Sequence, residues 1–325
     1  MNPFLPSDFL ILPEVFFLVF LIVVGGYWVC KIRKYRVAIY LAWCFVVFSI
    51  SSAQMLTYAE APGVRMIVLI LATLFSLKIV VGVEWYKHSL FQLNFIQWSC
   101  FVVGWFGMKP KLFESLGSKS LDGGKALVLF GISRVLIGVF LLVVGRFLIL
   151  QSYFIIKLFA IGFLLSGLSL ILHFGILNIS AGMWRLSGVD TRTLFKKPLL
   201  ATSLTEFWGR RWNLAFSEMT SIALYRPLRS TIGSNAAMII AFVFSGLLHE
   251  LAISVPVKAG YGLPLLYFFI HGVVMYVEKV LENRSFKFSN HKIVGRVWVI
   301  FWLVAPVVLL FHKAFLKGIV LPLFI

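Results

Sequence analysis

The sequence predicts an all-α protein: a polytopic transmembrane helical bundle of about eight spans, plus one re-entrant or interfacial segment. Three observations lead there. The 325 residues are 61% hydrophobic and only 13% charged, whereas soluble domains are about 45–50% apolar with roughly a quarter of their residues charged. Apolar windows of about 18 to 22 residues recur along the chain, each long enough at 1.5 Å per residue to cross a hydrocarbon core of about 30 Å. These runs are continuous rather than alternating, which argues against a β-barrel.

The spans follow in order. The first covers about Phe9 to Cys30, and the basic run Lys31 to Arg36 behind it belongs on the cytoplasmic side. The second covers about Val37 to Tyr58. The loop Ala59 to Arg65, with Pro62-Gly63, is external, and the third span runs from about Met66 to Val83. Ser89 to Met108 is apolar but has Lys87 before it and Lys109 and Lys111 after it, so a re-entrant or interfacial path suits it better than a crossing. After a polar loop come spans at about Ala126–Leu150 and Tyr153–Met183. A large polar, basic segment, Trp184 to Asn235, reads as a cytoplasmic loop. Two spans follow, about Ala236–Val257 and Tyr261–Leu281, with Gly260, Gly262 and Pro264 at the turn. The loop Glu282 to Arg296 is basic, and the last span is about Val297 to Phe315. Every basic loop then falls on one side and both termini on the other. No internal repeat stands out, and residues 1–325 read as a single domain.

The net charge of +18 is explained by orientation: short-loop Lys and Arg obey the positive-inside rule and attract anionic headgroups or an anionic substrate. Nucleic acid is not an expected partner. Cys30, Cys44 and Cys100 lack metal-ligand spacing and imply neither a disulfide frame nor a metal site. No cleavable signal is expected, because the first apolar run is too long and has no basic leader.

A titratable side chain at membrane depth costs a few kcal/mol and is a functional hypothesis by default. Lys78 and Glu278 lie near predicted span ends and are read as snorkelling. Arg134 is read as a structural partner of a buried acid or carbonyl, and His173, with Asn178 nearby, as a packing histidine. His249 sits deep in its run with Ser245 one turn before it on the same face. Glu250 points about 100° away. His271 is followed by Gly272, which permits close approach of a helix or lipid tail. For both His249 and His271 the choice between a catalytic group and a satisfied core histidine stays open on these grounds. Imidazole titrates near neutrality and is kept neutral by apolar surroundings, so it suits deprotonation of an alcohol.

The polar segment offers the complementary chemistry. Arg210, Arg211, Arg226 and Arg229, with Lys196 and Lys197, form a cationic collar able to fork onto phosphates. Trp208 and Trp212 provide flat faces for an adenine ring or an interfacial anchor. Asn213 can donate to a thioester carbonyl or its oxyanion. A plain positive-inside loop with interfacial tryptophans is the bland alternative.

The run Phe207-Trp208-Gly209-Arg210-Arg211-Trp212-Asn213 resembles the signature of the wax-synthase branch of the membrane-bound O-acyltransferases. Pro198, Ala201, Thr202, Ser203 and Tyr225-Arg226-Pro227 are similar too. So are Ser245-Gly246-Leu247-Leu248-His249-Glu250, Phe268-Phe269-Ile270-His271-Gly272 and, upstream, Gly107-Met108-Lys109-Pro110. The specific motifs cover 184–272; the earlier spans match only in hydropathy and length. The resemblance implies acyl transfer from acyl-CoA to a hydroxyl group in a multi-span fold, with no cofactor beyond acyl-CoA as co-substrate. It implies that His249 and Asn213 are the catalytic pair. Trp208, Arg210, Arg211, Trp212, Ser245 and His271 are then expected around the substrates. The acceptor is expected to be a lipophilic, long-chain alcohol from the bilayer. A sterol, a diacylglycerol, a small natural product or a protein are alternatives, as are a lipid transporter and a structural membrane subunit. An acyl-enzyme on Ser245 is a mechanistic alternative. The expected membrane is the inner membrane in a bacterium and the endoplasmic reticulum in a eukaryote.

Overall fold

A computed structural model of the chain describes residues 2–283 and 290–324. The described residues are helical, with no strand among them, and eight helical segments are long and apolar enough to cross a membrane: Ile11–Cys30, Tyr35–Leu56, Pro62–Trp85, Gly124–Ile149, Phe154–Leu186, Ser234–Val257, Leu263–Glu282 and Lys292–Leu310. The chain is an integral, multi-pass membrane protein. Part of the basic loop expected at 282–296, residues 284–289, lies outside the described residues.

In chain order the helices are α1 (Ile11–Cys30), α2 (Tyr35–Leu56), α3 (Pro62–Trp85), α4 (Phe95–Gly104), α5 (Gly124–Ile149), α6 (Phe154–Ser169) and α7 (Leu177–Leu186). There follow α8 (Leu204–Glu206), α9 (Leu214–Thr220), α10 (Arg226–Ile232), α11 (Ser234–His249), α12 (Val255–Val257), α13 (Leu263–Asn283) and α14 (Lys292–Val304). They form two compact units, Met1–Gln92 with Lys197–Leu323, and Leu93–Lys196 with Phe324–Ile325.

In the first unit α3 is the central post, buried along most of its length, with α1 and α2 packed on it. Arg65, read from sequence as a loop residue, is in the first turn of α3 and only 2% exposed. Its guanidinium donates to the Pro256 carbonyl at 3.0 Å and lies over the Tyr58 ring. Lys78, expected to snorkel, is instead fully buried in the middle of α3. Glu278 does not snorkel either: it is 1% exposed, because its carboxylate is taken up by the polar segment of the chain. That segment, expected as a loop, is largely short helices, α8 to α10, joined by π-turns at Phe207–Arg211 and Ser221–Tyr225. Polar and aromatic composition hid these helices, since none is long enough to show an apolar period. The last span lies about five residues earlier than expected, because the helix is interrupted at Ala305-Pro306 and ends before His312.

In the second unit α5 packs on α6 and α7 through glycine. Gly124, Gly131, Gly138 and Gly145 recur every seventh residue and are all buried. Cβ atoms built on them would meet the Gly182, Gly175, Gly167 and Ala160 carbonyls at 3.0, 2.7, 2.8 and 3.3 Å. The partner residues are spaced 7, 8 and 7 apart. The extra residue falls where the helix widens into a π-turn, Leu170–Ile176, so the bulge keeps the two small-residue rows in register. His173 lies in this turn, with Nδ1 3.1 Å from Ser169 Oγ and its ring packed on Phe195, the packing role read from sequence. Arg134 lies over the Phe130 ring at 4.5 Å rather than against an acid. Helix α4 has ten residues, or about 15 Å, too short to cross. Asn94 and Gln97 close a capping box at its start.

Candidate active site

His249 is the last residue of α11, immediately before a π-turn, Glu250–Ser254. Single π-turns inside α-helices occur frequently at functional sites. The His249 Nδ1–H donates to the Ser245 carbonyl at 2.7 Å. A carbonyl can only accept, so the proton sits on Nδ1 and the Nε2 lone pair is left for other work. The imidazole lies between two phenyl rings: Phe268 of α13 at 4.0 Å between centroids and Phe216 of α9 at 5.5 Å.

Phe216 is also the link to Asn213. Asn213 adopts a left-handed conformation, φ 41°, at the start of α9. Asparagine tolerates this region better than most residues because its side chain bonds locally. Its Oδ1 accepts the Phe216 N–H at 3.2 Å, a helix N-cap. The cap uses the amide oxygen and leaves the Nδ2 hydrogens as donors. One residue thus separates a hydrogen-bond donor (Asn213) from a proton acceptor (His249), and that residue touches both.

The rest of the signature packs around this pair. Trp208 contacts Phe207, Phe242, Phe268 and His271, with ring centroids at 5.0, 6.2, 5.6 and 5.6 Å. Trp208 is partly buried and packs edge-on or tilted against these rings. Trp212 stacks on Phe207 at 5.5 Å and 14°. His271 is fully buried and donates from Nδ1 to the Tyr267 carbonyl at 2.8 Å. Ser245 Oγ donates to the Ala241 carbonyl at 2.9 Å, so the hydroxyl is tied back along its own helix. The basic collar divides in two. Arg211 bonds Glu206 at 2.6 and 2.8 Å and the Lys197 carbonyl, whereas Arg210, Arg226 and Arg229 are exposed.

Glu206 ties the segment together. It accepts from the Thr202 N–H and Oγ1 at 2.8 and 3.1 Å and from Arg211. Burial pushes its carboxyl up, but these hydrogen bonds outweigh burial and hold it below the ordinary carboxylate range. Sequence reading gave no site role to Phe216, Phe268, Glu206 or Glu278: Phe268 was named only within a motif, and Glu278 only as a snorkelling group. The first two had a signal, three residues from Asn213 and from His271 respectively. A cavity of about 290 Å³ lies elsewhere, lined by Lys31, Arg33, Tyr35 and Lys87 among others, and no candidate site residue borders it.

Residues 191–271 match the sequence profile of the Membrane bound O-acyl transferase family. The chain is similar to the long-chain-alcohol O-fatty-acyltransferase of Simmondsia chinensis, with 38% identity over 105 residues, 30% of each chain. It is 37% identical over 108 residues to the probable long-chain-alcohol O-fatty-acyltransferase 7 of Arabidopsis thaliana, which covers 30% of this chain and 32% of that one. Over 79 residues it is 42% identical to the acyl-CoA–sterol O-acyltransferase 1 of Arabidopsis thaliana, 22% of this chain and 23% of that protein. The matched stretch thus spans less than a third of the length of these relatives. The residues that match the family profile, 191–271, include Asn213, His249 and His271.

Proposed function

We propose that the protein is an acyl-CoA-dependent O-acyltransferase that esterifies a lipophilic alcohol, a long-chain fatty alcohol first of all, to give a wax-type ester. The observation that carries this reading is the His249 imidazole, with Nδ1 committed to Ser245 and its flank shared with the residue that Asn213 caps. The similarity to long-chain-alcohol acyltransferases supports the choice of acceptor.

In this mechanism His249 Nε2 takes the hydroxyl proton as the alcohol oxygen attacks the thioester carbon. The carbonyl π-electrons move onto oxygen, and Asn213 Nδ2 donates to that developing charge. Collapse of the tetrahedral species expels the CoA thiolate, which recovers the proton from the imidazolium. The ester and free CoA leave. In this reading the exposed Arg210 meets the CoA phosphates, while Arg211 holds the segment through Glu206. Direct transfer is favoured over an acyl-serine because the Ser245 hydroxyl bonds Ala241 and not the imidazole. The reaction draws acyl-CoA from water and the alcohol from the bilayer, which accounts for a base set in an apolar helix.

A sterol acceptor is the second reading, favoured by the 42% identity to the sterol acyltransferase. Purified protein in detergent, given labelled acyl-CoA with long-chain alcohols, a sterol and a diacylglycerol, separates the cases. The expected product is a labelled wax ester. A labelled sterol ester alone selects the second reading, and no labelled ester with any acceptor sinks both.

A further inference from the structure

Glu278 is a carboxylate buried in α13, 1% exposed, and it receives four hydrogen bonds. Its Oε1 accepts from the Leu204 N–H at 2.6 Å and from Trp298 Nε1 at 3.0 Å. Its Oε2 accepts from the Thr205 N–H at 3.0 Å and from Thr205 Oγ1 at 2.9 Å. Leu204 and Thr205 open the helical stretch Leu204–Arg211, whose first N–H groups have no partner within the helix itself. The carboxylate of a different helix supplies that partner.

Glu278 is also one point on a stripe. Phe268, His271, Met275 and Glu278 follow one another by three, four and three residues along α13, so they share a face. The stretch Leu204–Arg211 docks on that face in the opposite direction. Leu204 and Thr205 meet Glu278. Phe207 shares a buried cluster with Val274 and Met275. Trp208 meets His271 and Phe268, and Phe268 lies on the His249 ring. Two residues past the end of the stretch comes Asn213. The apolar contacts can slide; the four hydrogen bonds fix one register.

We propose that Glu278 is a positioning residue for acyl transfer: by capping Leu204 and Thr205 it sets the rotation and height of the stretch that delivers Trp208 and Asn213 to His249. This rests on the acyltransferase reading for its catalytic consequence, but the tether itself does not. Gln at this position retains one acceptor oxygen and turns the other into a donor facing donors. Ala removes all four bonds.

The test has two readouts on full-length protein in detergent. Hydrogen–deuterium exchange across 202–213 reports the tether without any substrate. It is expected to accelerate in E278A, and less so in E278Q. Steady-state kinetics report position: kcat per folded molecule is expected to fall about 100-fold in E278A, the size of effect that a misplacement of about 1 Å produces. E278Q should fall less, and KM for acyl-CoA should change little in both. If E278A does not fold, Thr205→Val, which removes only the Oγ1 donor, should give a small fall in kcat with faster exchange. Unchanged exchange in E278Q and Thr205→Val overturns the tether. Faster exchange with unchanged kcat per folded molecule overturns the positioning role. A wild type with no turnover of acyl-CoA removes the catalytic claim together with the acyltransferase reading, and the exchange result still decides the tether.

Discussion

An imidazole tied through Nδ1 to the carbonyl one turn back has its tautomer chosen by the backbone. At His249 that leaves Nε2 as the working atom. His249→Ala should lower kcat by about 10² to 10⁴, the range for removing a positioned base, with the melting temperature in detergent near that of the parent. Retained turnover would rule this base out. Asn213 needs a subtler substitution, because it does three things: it holds φ 41°, caps α9 and offers Nδ2. Ala would disturb all three. Asn213→Asp keeps the acceptor that caps Phe216 and tolerates the left-handed backbone, yet removes the donor. It should stay folded and lose about 10² to 10³ in kcat, as oxyanion donors do; wild-type kcat in a folded Asp variant would show that the side chain serves only as a cap. Both candidates stand out in the sequence because each breaks its surroundings, a histidine in an apolar run and an asparagine after a tryptophan–arginine cluster. Glu278 was not legible. Its place near a span end suggested snorkelling, and its partners Leu204, Thr205 and Trp298 lie 74, 73 and 20 residues away in sequence.

Among the elements, the long spans could be read and the π-turns could not. Span length is dictated by bilayer thickness, so hydropathy alone locates it. A π-turn adds one residue to a helix with no compositional signal. Two such turns, Phe207–Arg211 and Glu250–Ser254, flank Asn213 and His249. A third, Leu170–Ile176, absorbs the extra residue in the glycine row facing α5. The heptad of glycines on α5 was present in the sequence, but its meaning depends on a partner row broken by that bulge. Its contribution can be measured. A Cβ on Gly138 would sit 2.6 Å from Ile171 Cγ1 and 2.8 Å from the Gly167 carbonyl, whereas one on Gly162 meets nothing within 4 Å. Gly138→Ala should destabilise by about 1–3 kcal/mol through overpacking. Gly162→Ala should be neutral or gain up to about 1 kcal/mol from helix propensity. Thermal unfolding of the two variants side by side decides it: equal melting temperatures would mean that the close approach carries no energy.

For the whole chain, orientation follows from which turns share an end. In the first unit the loop before α3 and the turn after α12 are joined: Arg65 donates to the Pro256 carbonyl, and both Arg65 and Lys258 lie over the Tyr58 ring. The loop Ala59 to Arg65 was expected outside, the alternation of spans puts the turn at Gly260 on the same side, and the cations the two hold are engaged with protein. At the other ends of α1 to α3, Lys31, Arg33 and Lys87 line one cavity and are exposed; Lys31 lies over the Tyr27 ring and Lys87 over the Tyr35 ring. Arg210, Arg226 and Arg229 are likewise exposed. Exposed cations in the loops between spans are the ones that resist translocation and attract the anionic leaflet. The positive-inside rule therefore predicts that they lie on the cytoplasmic face, and in the proposed reaction acyl-CoA would meet Arg210 from that side. Single cysteines at Arg33 or Arg229 should accordingly be labelled by a membrane-impermeant maleimide only after sealed, right-side-out vesicles are opened. Cysteines at Ala59 or Tyr261 should be labelled while the vesicles are intact. The background would lack Cys30, Cys44 and Cys100. Labelling of the Arg229 position in intact vesicles would place the signature segment on the outer face, away from the cell's acyl-CoA, and would remove the donor substrate from the proposed reaction.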